Sequence, residues 1–239
     1  MRNNRSTTPV WKAIAAALRA EISERRYLSG DKLPTEAHLS ARFGVNRHTV
    51  RHALSHLVAE GLVRTRRGAG AFVAATPTDY PIGERVRFHE NLLAAGRKPE
   101  KRILHIECRA ATTGEARALA IEDGAPVCGC HGLSFADGAP IALFESVFPL
   151  DRVAGIDQHL TDTSSVTDAL TRAGVADYTR ASTRLTAVVA DVTQALQLHL
   201  HEGDPLLRST SVNVDAKGLP VEYGRTWFAG DRVTLTLET

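Results

Sequence analysis

Three cysteines, one methionine, two tryptophans and an aromatic share of 5% give this 239-residue chain little of what marks several protein classes. Cys108, Cys128 and Cys130 are too few for a disulfide framework, so the expected location is a reducing cytoplasm. No apolar run approaches the ~20 residues of a membrane span, so no membrane partner is expected. The polar residues 1–8 do not read as a secretory leader. Cys128-x-Cys130-His131 with His199-x-His201 lacks zinc-knuckle spacing. Alternation along a strand would instead turn both thiols to one face as buried apolar groups, so no metal is expected. Nor does the chain show a nucleophile–base pair or a Gly-rich phosphate loop. Neither catalysis nor a cofactor is therefore expected.

Charge of one sign is lacking only in the average. The whole chain carries +2, but residues 1–75 hold 13 Lys/Arg against 5 Asp/Glu, a net of +8, and the remainder holds 16 against 22, a net of −6. A basic head on a larger acidic body is the electrostatic footprint of a nucleic-acid reader joined to a domain with other work. Domain bounds follow from composition: a head over 1–74, a linker over 75–82 marked by Pro77 and Pro81, and a second domain over 83–239.

In the head, the periodicity predicts a first helix over 9–26, with Val10, Trp11, Ile14, Ala17, Leu18 and Ile22 inward. Residues 33–73 then read as helix, tight turn, helix and basic hairpin. Gly44 supplies the turn. Asn46 caps a helix running to about Glu60, with Val50, Ala53, Leu54, Leu57 and Val58 inward. Arg47, His48 and Arg51 stand on the opposite face at the helix start, where a helix-turn-helix meets base edges in the major groove. Arg64, Arg66 and Arg67 with Gly68 and Gly70 form a wing that sets cations against phosphate.

The segment resembles the winged helix of the GntR family of bacterial transcription regulators. The resemblance rests on Arg26-Tyr27-x-x-Gly30-x-x-Leu33-Pro34-Thr35-Glu36, on Phe43-Gly44-Val45-Asn46-Arg47-x-Thr49-Val50-Arg51-x-Ala53-Leu54, and on Glu60-Gly61-Leu62 with Arg67-Gly68-x-Gly70-x-Phe72-Val73. It implies double-stranded DNA as partner, a palindromic operator bound by a homodimer, and DNA contacts from Glu36, Asn46, Arg47, His48, Thr49, Arg51, Arg66, Arg67, Gly68 and Gly70.

Beyond the linker the patterning predicts helices over 87–95, 113–120, 164–173 and 191–200, with Thr113 as a cap and a helical turn at 153–155. Strands are predicted over 101–108, 126–135, 140–148, 178–189, 206–214, 221–229 and 233–237. Asp137-Gly138 and Lys217-Gly218 close two similar hairpins, which suggests a duplicated layout. Hairpins with helices between them make an α+β fold built on an antiparallel sheet. This region resembles the effector-binding (UTRA) domain of the HutC branch, whose fold is related to chorismate lyase and which carries the homodimer contact. The resemblance rests on Asp137-Gly138-x-Pro140-Ile141 with Glu145, Asp204-Pro205-Leu206-Leu207-Arg208 and Gly218-x-Pro220-Val221-Glu222-Tyr223. Residues 87–96 and 232–238 look most like the regulators of phosphonate uptake and breakdown.

The expected partner of this domain is a small anionic effector. Arg87 offers a planar fork for a phosphonate or phosphate. Phe88 stands beside it, Ser164 and Ser165 open a helix, and Arg180, Arg184 and Arg225 lie on strands with Arg180 and Arg184 sharing a face. Glu145, Glu222 and Tyr223 are candidates to hold an amino or hydroxyl group. Relatives that sense sugar phosphates use two arginines ahead of the Asp-Gly turn, and Gly132 and Ser134 occupy those positions here. A sensor of a sugar phosphate or a urocanate-like acid is the alternative.

Overall fold

The computed structural model describes residues 9–28, 30–66, 68–74, 77–83 and 88–237. It divides into two compact units, 1–76 and 77–239.

The first unit contains α1 (Val10–Ser23), α2 (Glu36–Phe43), α3 (Arg47–Ala59), β1 (Val63–Arg66) and β2 (Gly70–Val73). Thr35 caps α2 by accepting the backbone N–H of His38. Gly44, at φ 64°, ends that helix in the left-handed conformation a residue without Cβ adopts at little cost. Asn46 then starts α3, its Oδ1 accepting the backbone N–H of Thr49 at 2.9 Å. Ile14, Leu18, Leu39, Val50, Leu54 and Leu57 are buried together, and each such side chain contributes roughly 1.5–3 kcal/mol by leaving water. Two residues expected inward are not. Val10 is exposed in the first turn of α1, and Val58 is exposed near the end of α3. The first helix stops at Ser23 rather than residue 26, because Arg25 takes a positive φ. β1 and β2 pair antiparallel, and Lys32 bridges Phe72 to extend the wing.

The second unit runs β3 (Thr78–Pro81), α4 (Phe88–Ala94), β4 (Pro99–Ala110), α5 (Thr113–Leu119), β5 (Pro126–Ala136) and β6 (Ala139–Pro149). It continues with α6 (Ile156–Thr163), α7 (Val166–Arg172), β7 (Tyr178–Val189), α8 (Val192–Gln197), β8 (Pro205–Asp215), β9 (Pro220–Ala229) and β10 (Val233–Thr236). Six strands form one antiparallel sheet in the order β4-β5-β6-β9-β8-β7. The layout is a strand, a helix and a hairpin, used twice: β4-α5-β5-β6 and β7-α8-β8-β9, joined at β6–β9.

Several expectations need correction. Residues 78–81 of the expected linker form β3, which pairs in parallel with β10; Pro81 is tolerated at the end of this two-stranded edge pair. Ile156–Thr163 is a helix, where only a turn at 153–155 was expected; with only Ile156 and Leu160 buried, its apolar stripe is too short to read. Thr112, not Thr113, caps α5, in a box with Glu115. The helix expected to open at Ser164 begins at Val166, because Ser164 takes φ 53° and closes α6.

Strand alternation also breaks within β4 and within β7. The β4–β5 register shifts between Ile103 and His105, and the β7–β8 register shifts between Arg180 and Ser182. Each bulge reverses which residues face which side. One face of the sheet packs against α6 and α7, with Cys128, Cys130, Phe144 and Phe148 in that core. The other face packs Val127, Val147 and half-buried Tyr223 against α5, and Leu133, Leu143 and Leu206 against α8.

Candidate functional site

Each unit carries one candidate site. In the first, the start of α3 presents Arg47, His48 and Arg51 to solvent. Arg51 is engaged: its guanidinium donates from Nε and Nη2 to the two carboxylate oxygens of Glu36 at 3.1 and 2.8 Å. That contact holds Glu36 below the ordinary carboxylate range. Thr49 donates its hydroxyl to Asn46 Oδ1 at 3.0 Å, so cap and hydroxyl form one unit. Trp11 packs inward against the core but stays half-buried, and its ring stacks on His52 with centroids 4.2 Å apart while His56 meets its edge at 5.0 Å. Trp11, Asn46, His48, Thr49, Arg51, His52 and Ser55 line a shallow depression of about 470 Å³. Trp11 is the addition that sequence reasoning missed, since only the fold brings the first turn of α1 beside α3. Gly68 and Gly70 hold φ 76° and 108° in the wing. The predicted Arg67 and Arg87, and the side chain of Arg66, fall outside the described residues.

In the second unit a cavity of about 560 Å³ opens on the α6–α7 face of the sheet. Of the predicted effector residues, it brings together Phe88, Ser164, Ser165, Arg180 and Glu222. Four others are not among its lining residues. Glu145 and Arg225 are register partners on the opposite face and pair with each other at 2.7 Å. Tyr223 packs against the α5 cluster. Arg184 pairs with Thr210 whereas Arg180 pairs with Asn213; the bulge between them turns Arg180 toward the cavity and Arg184, which is exposed, away from it. The expectation that the two arginines share a face is therefore wrong.

The cavity floor is polar. Glu222 is 7% exposed, and its carboxylate accepts from Ser146 Oγ and from Asn213 Nδ2, both at 2.6 Å. Ser209 and Ser211 continue the floor along β8. Arg180 lies at the wall; its Nε is buried without a hydrogen-bond partner, and burial pulls the guanidinium below its ordinary value. Lys101, which sequence reasoning missed, reaches in from the edge strand β4. Its ammonium lies 5.1 Å from the ring centroid of Phe88 and 4.6 Å from that of Phe144. Burial lowers its pKa, opposed by the charge of Glu222. Among the described residues it has neither a hydrogen bond nor an ion pair. At the rim, Ser165 Oγ accepts the backbone N–H of Asp168, and Thr163 Oγ1 accepts the backbone N–H of Ser165.

Gly132 is fixed by sterics. A Cβ there would lie 2.2 Å from the carbonyl oxygen of Arg102 and 2.8 Å from Cζ of Phe144. The space that a side chain at 132 would fill is taken by the Phe144 ring. The cavity's cation comes instead from Lys101, the register partner of Ser134.

Comparison with known proteins places both units. Residues 11–73 match the model of the bacterial regulatory proteins of the gntR family, and residues 94–234 match the UTRA domain. The chain is a GntR-family transcription regulator. It is 39% identical over 233 residues to an uncharacterised HTH-type transcriptional regulator of Rhizobium meliloti (strain 1021), covering 96% of this chain and 95% of that protein. It is 33% identical over 229 residues to the probable transcriptional regulator PhnF of Escherichia coli (strain K12), covering 95% and 94%. The crystal structure of PhnF from Mycobacterium smegmatis superposes with a TM-score of 0.63 at 25% identity, covering 95% of this chain and 98% of that one. A GntR helix-turn-helix implies DNA binding, and a UTRA domain implies a small-molecule effector. Among the described residues, no helix of this regulator is long and apolar enough to cross a membrane.

Proposed function

We propose that the regulator represses genes for phosphonate uptake or degradation and responds to a small anion, a phosphonate or phosphate, held in the UTRA cavity. The observation that carries this reading is the pair of cavity cations, Lys101 and Arg180, for which the protein itself supplies no hydrogen-bond acceptor among the described residues. Both are half-buried, and a charge partly withdrawn from water without an acceptor carries a desolvation cost that a ligand anion relieves. The chemistry of the lining favours a ligand with two ends. Lys101 and Arg180 suit the anionic group. The Glu222 carboxylate and Asn213, whose Oδ1 is buried without a partner, suit a donor such as an amine or hydroxyl. The resemblance of residues 87–96 and 232–238 to phosphonate regulators supports the pathway. The filled space at Gly132 weighs against a sugar-phosphate site built on arginines at 132 and 134.

Two heads joined through their UTRA domains as a homodimer would read a palindrome with half-sites about one turn, ~34 Å, apart. Asn46, Arg47, His48, Thr49 and Arg51, with Glu36, face the bases, and the wing with Arg66, Arg67, Gly68 and Gly70 faces the backbone. In this reading Phe88, Ser164, Ser165, Arg180 and Glu222, joined by Lys101, hold the effector, and Arg87 stands next to Phe88. The effector acts by binding one arrangement of the heads more tightly than the other. The test is fluorescence anisotropy on the gene's own upstream DNA at fixed ionic strength. The panel holds 2-aminoethylphosphonate, methylphosphonate, inorganic phosphate, glucosamine 6-phosphate and urocanate. A shift in DNA affinity with a phosphonate or phosphate alone is expected. A shift with glucosamine 6-phosphate or urocanate alone would overturn the pathway while leaving the regulator intact.

A further inference from the structure

The UTRA unit holds a second chemical feature, outside the cavity and untouched by the effector reading. Cys108 on β4 and Cys128 on β5 are direct register partners in the antiparallel sheet. The bulge between Ile103 and His105 decides this. It reverses the alternation of β4, so that Cys108 projects to the same side as Lys101 although the two differ in parity along the chain. Partners directly opposite in such a ladder have Cα atoms about 4.5 or 5.5 Å apart, and both spacings lie within the range a disulfide spans. Side chains directly opposite in a ladder stand on the same face of the sheet as nearest neighbours. Access is asymmetric: Cys108 is exposed on the edge strand, whereas Cys128 is buried in the core beneath α6 and α7.

We propose that Cys108 and Cys128 form a reversible intramolecular disulfide when the protein meets a peroxide, with Cys108 reacting first. The Cys108 thiolate attacks one peroxide oxygen; the O–O bond breaks, hydroxide leaves and takes up a proton, and Cys108 becomes a sulfenic acid. Cys128 sulfur then attacks the Cys108 sulfur, the S–S bond forms, and the S–O bond breaks. The oxygen leaves as water with the proton given up by Cys128. Two thiols are oxidised, and one peroxide is reduced to two waters. Burial and the neighbouring thiol push Cys128 up to about 12, which suits a thiol that resolves rather than one that starts the reaction. Because Cys108 is exposed, the bridge is open to reductants, as a labile rather than a structural disulfide is. Cys130 is left out because its register partner is Ile106. The bond fastens to β5 the edge strand that carries Lys101.

The full-length protein, treated with hydrogen peroxide and then alkylated, tests this by intact mass and peptide mapping. Loss of the mass of two hydrogens, with Cys108 linked to Cys128 and the change reversed by dithiothreitol, is expected. Cys108→Ala and Cys128→Ala must each abolish the link, and Cys130→Ala must leave it. Cys128 remaining alkylatable while Cys108 carries oxygen, or Cys108 joined to a second molecule, would overturn the proposal.

Discussion

In the N-terminal unit, Arg19, Arg42 and Arg51 sit on the carboxylates of Glu60, Glu21 and Glu36, and Arg47 is left in solvent. In the UTRA cavity, Lys101 and Arg180 are half-buried, with no acceptor supplied by the fold among the described residues. The two arrangements suit different anions. An exposed pair contributes about 0–1 kcal/mol, so exchanging Glu36 for a base or phosphate requires little energy. A polyanion approaching through salt water needs surface cations, and its binding falls as salt rises. A half-buried cation without an acceptor is held at a cost that a single small anion would relieve. Three arginines of the first unit are paired, whereas the two cavity cations have no acceptor among the described residues.

The largest effect expected is at the surface. Arg47→Ala should abolish site-specific binding while the circular dichroism spectrum and melting temperature stay unchanged. A bidentate arginine–guanine contact is worth ~1–3 kcal/mol, and a dimer loses it twice, so operator affinity falls by roughly a hundredfold or more. Wild-type affinity would remove Arg47 from the interface. Next comes the cavity cation. Lys101→Met should weaken binding of the effector anion by roughly thirtyfold, measured by calorimetric titration with the phosphonate or phosphate that shifts DNA affinity. The same change should raise the stability of the free protein by up to about 1 kcal/mol, because a half-buried charge without an acceptor is exchanged for an apolar chain of similar length. Lower stability together with unchanged anion affinity would reverse the contrast drawn between the units.

A satisfied ion pair inside the UTRA unit provides the control. Arg109 donates to both oxygens of Glu115 at 2.7 and 2.8 Å, and this holds the Glu115 carboxyl at about 2, well below its ordinary 4.5. Since the folded value is depressed, the stabilisation is present above the ordinary carboxylate range and disappears as pH falls from about 4.5 through about 2. Arg109→Leu should lower unfolding free energy at pH 7 by about 2 kcal/mol, a figure reduced because the Arg109 side chain is 31% exposed. It should also flatten the acid limb of the stability curve between those values. Urea unfolding at several pH values measures both, and an unaltered acid limb would assign the loss of stability to something other than this pair.

How much of this was legible depended on whether the signal was local. Gly44, Asn46 and the basic face of α3 follow from turn, cap and period, and the structure places them as read. The hairpins closed by Asp137-Gly138 and Lys217-Gly218 were equally readable. Lys101 was not. Parity along a strand predicts its face only while the register holds, and the bulge between Ile103 and His105 puts Lys101 on the opposite parity from the residues that follow it. Arg180 and Arg184 failed for the same reason on β7. Residues 78–81 looked like linker because their partner, β10, is more than 150 residues away in sequence. The stacking of Trp11 on His52 likewise depends on helix packing that no local pattern encodes.

Glu36→Gln separates a paired surface cation from a free one. Arg51 keeps a neutral acceptor but loses a carboxylate that repels phosphate. Binding to arbitrary duplex DNA should therefore tighten about threefold at low salt, by less than 1 kcal/mol, and the gain should vanish as salt screens the charge. A gain that persists at high salt would mean that Glu36 acts by geometry rather than charge.

The smallest expected effect is also the sharpest test of the bulges. Glu145 and Arg184 were both expected to bind the effector, and both lie on strands that line the cavity. Yet Glu145 pairs with Arg225 on the far face, and Arg184 follows the bulge in β7 away from the cavity. Glu145→Gln and Arg184→Ala should leave effector affinity within about 0.5 kcal/mol of wild type, the range of ordinary surface substitutions. Arg180→Ala, four residues from Arg184 on the same strand, should lose roughly tenfold or more, because an unpaired guanidinium at the cavity wall is removed. If Arg184 and Arg180 proved equally sensitive, the alternation of β7 would be unbroken in solution, and the division between cavity face and far face would fail with it.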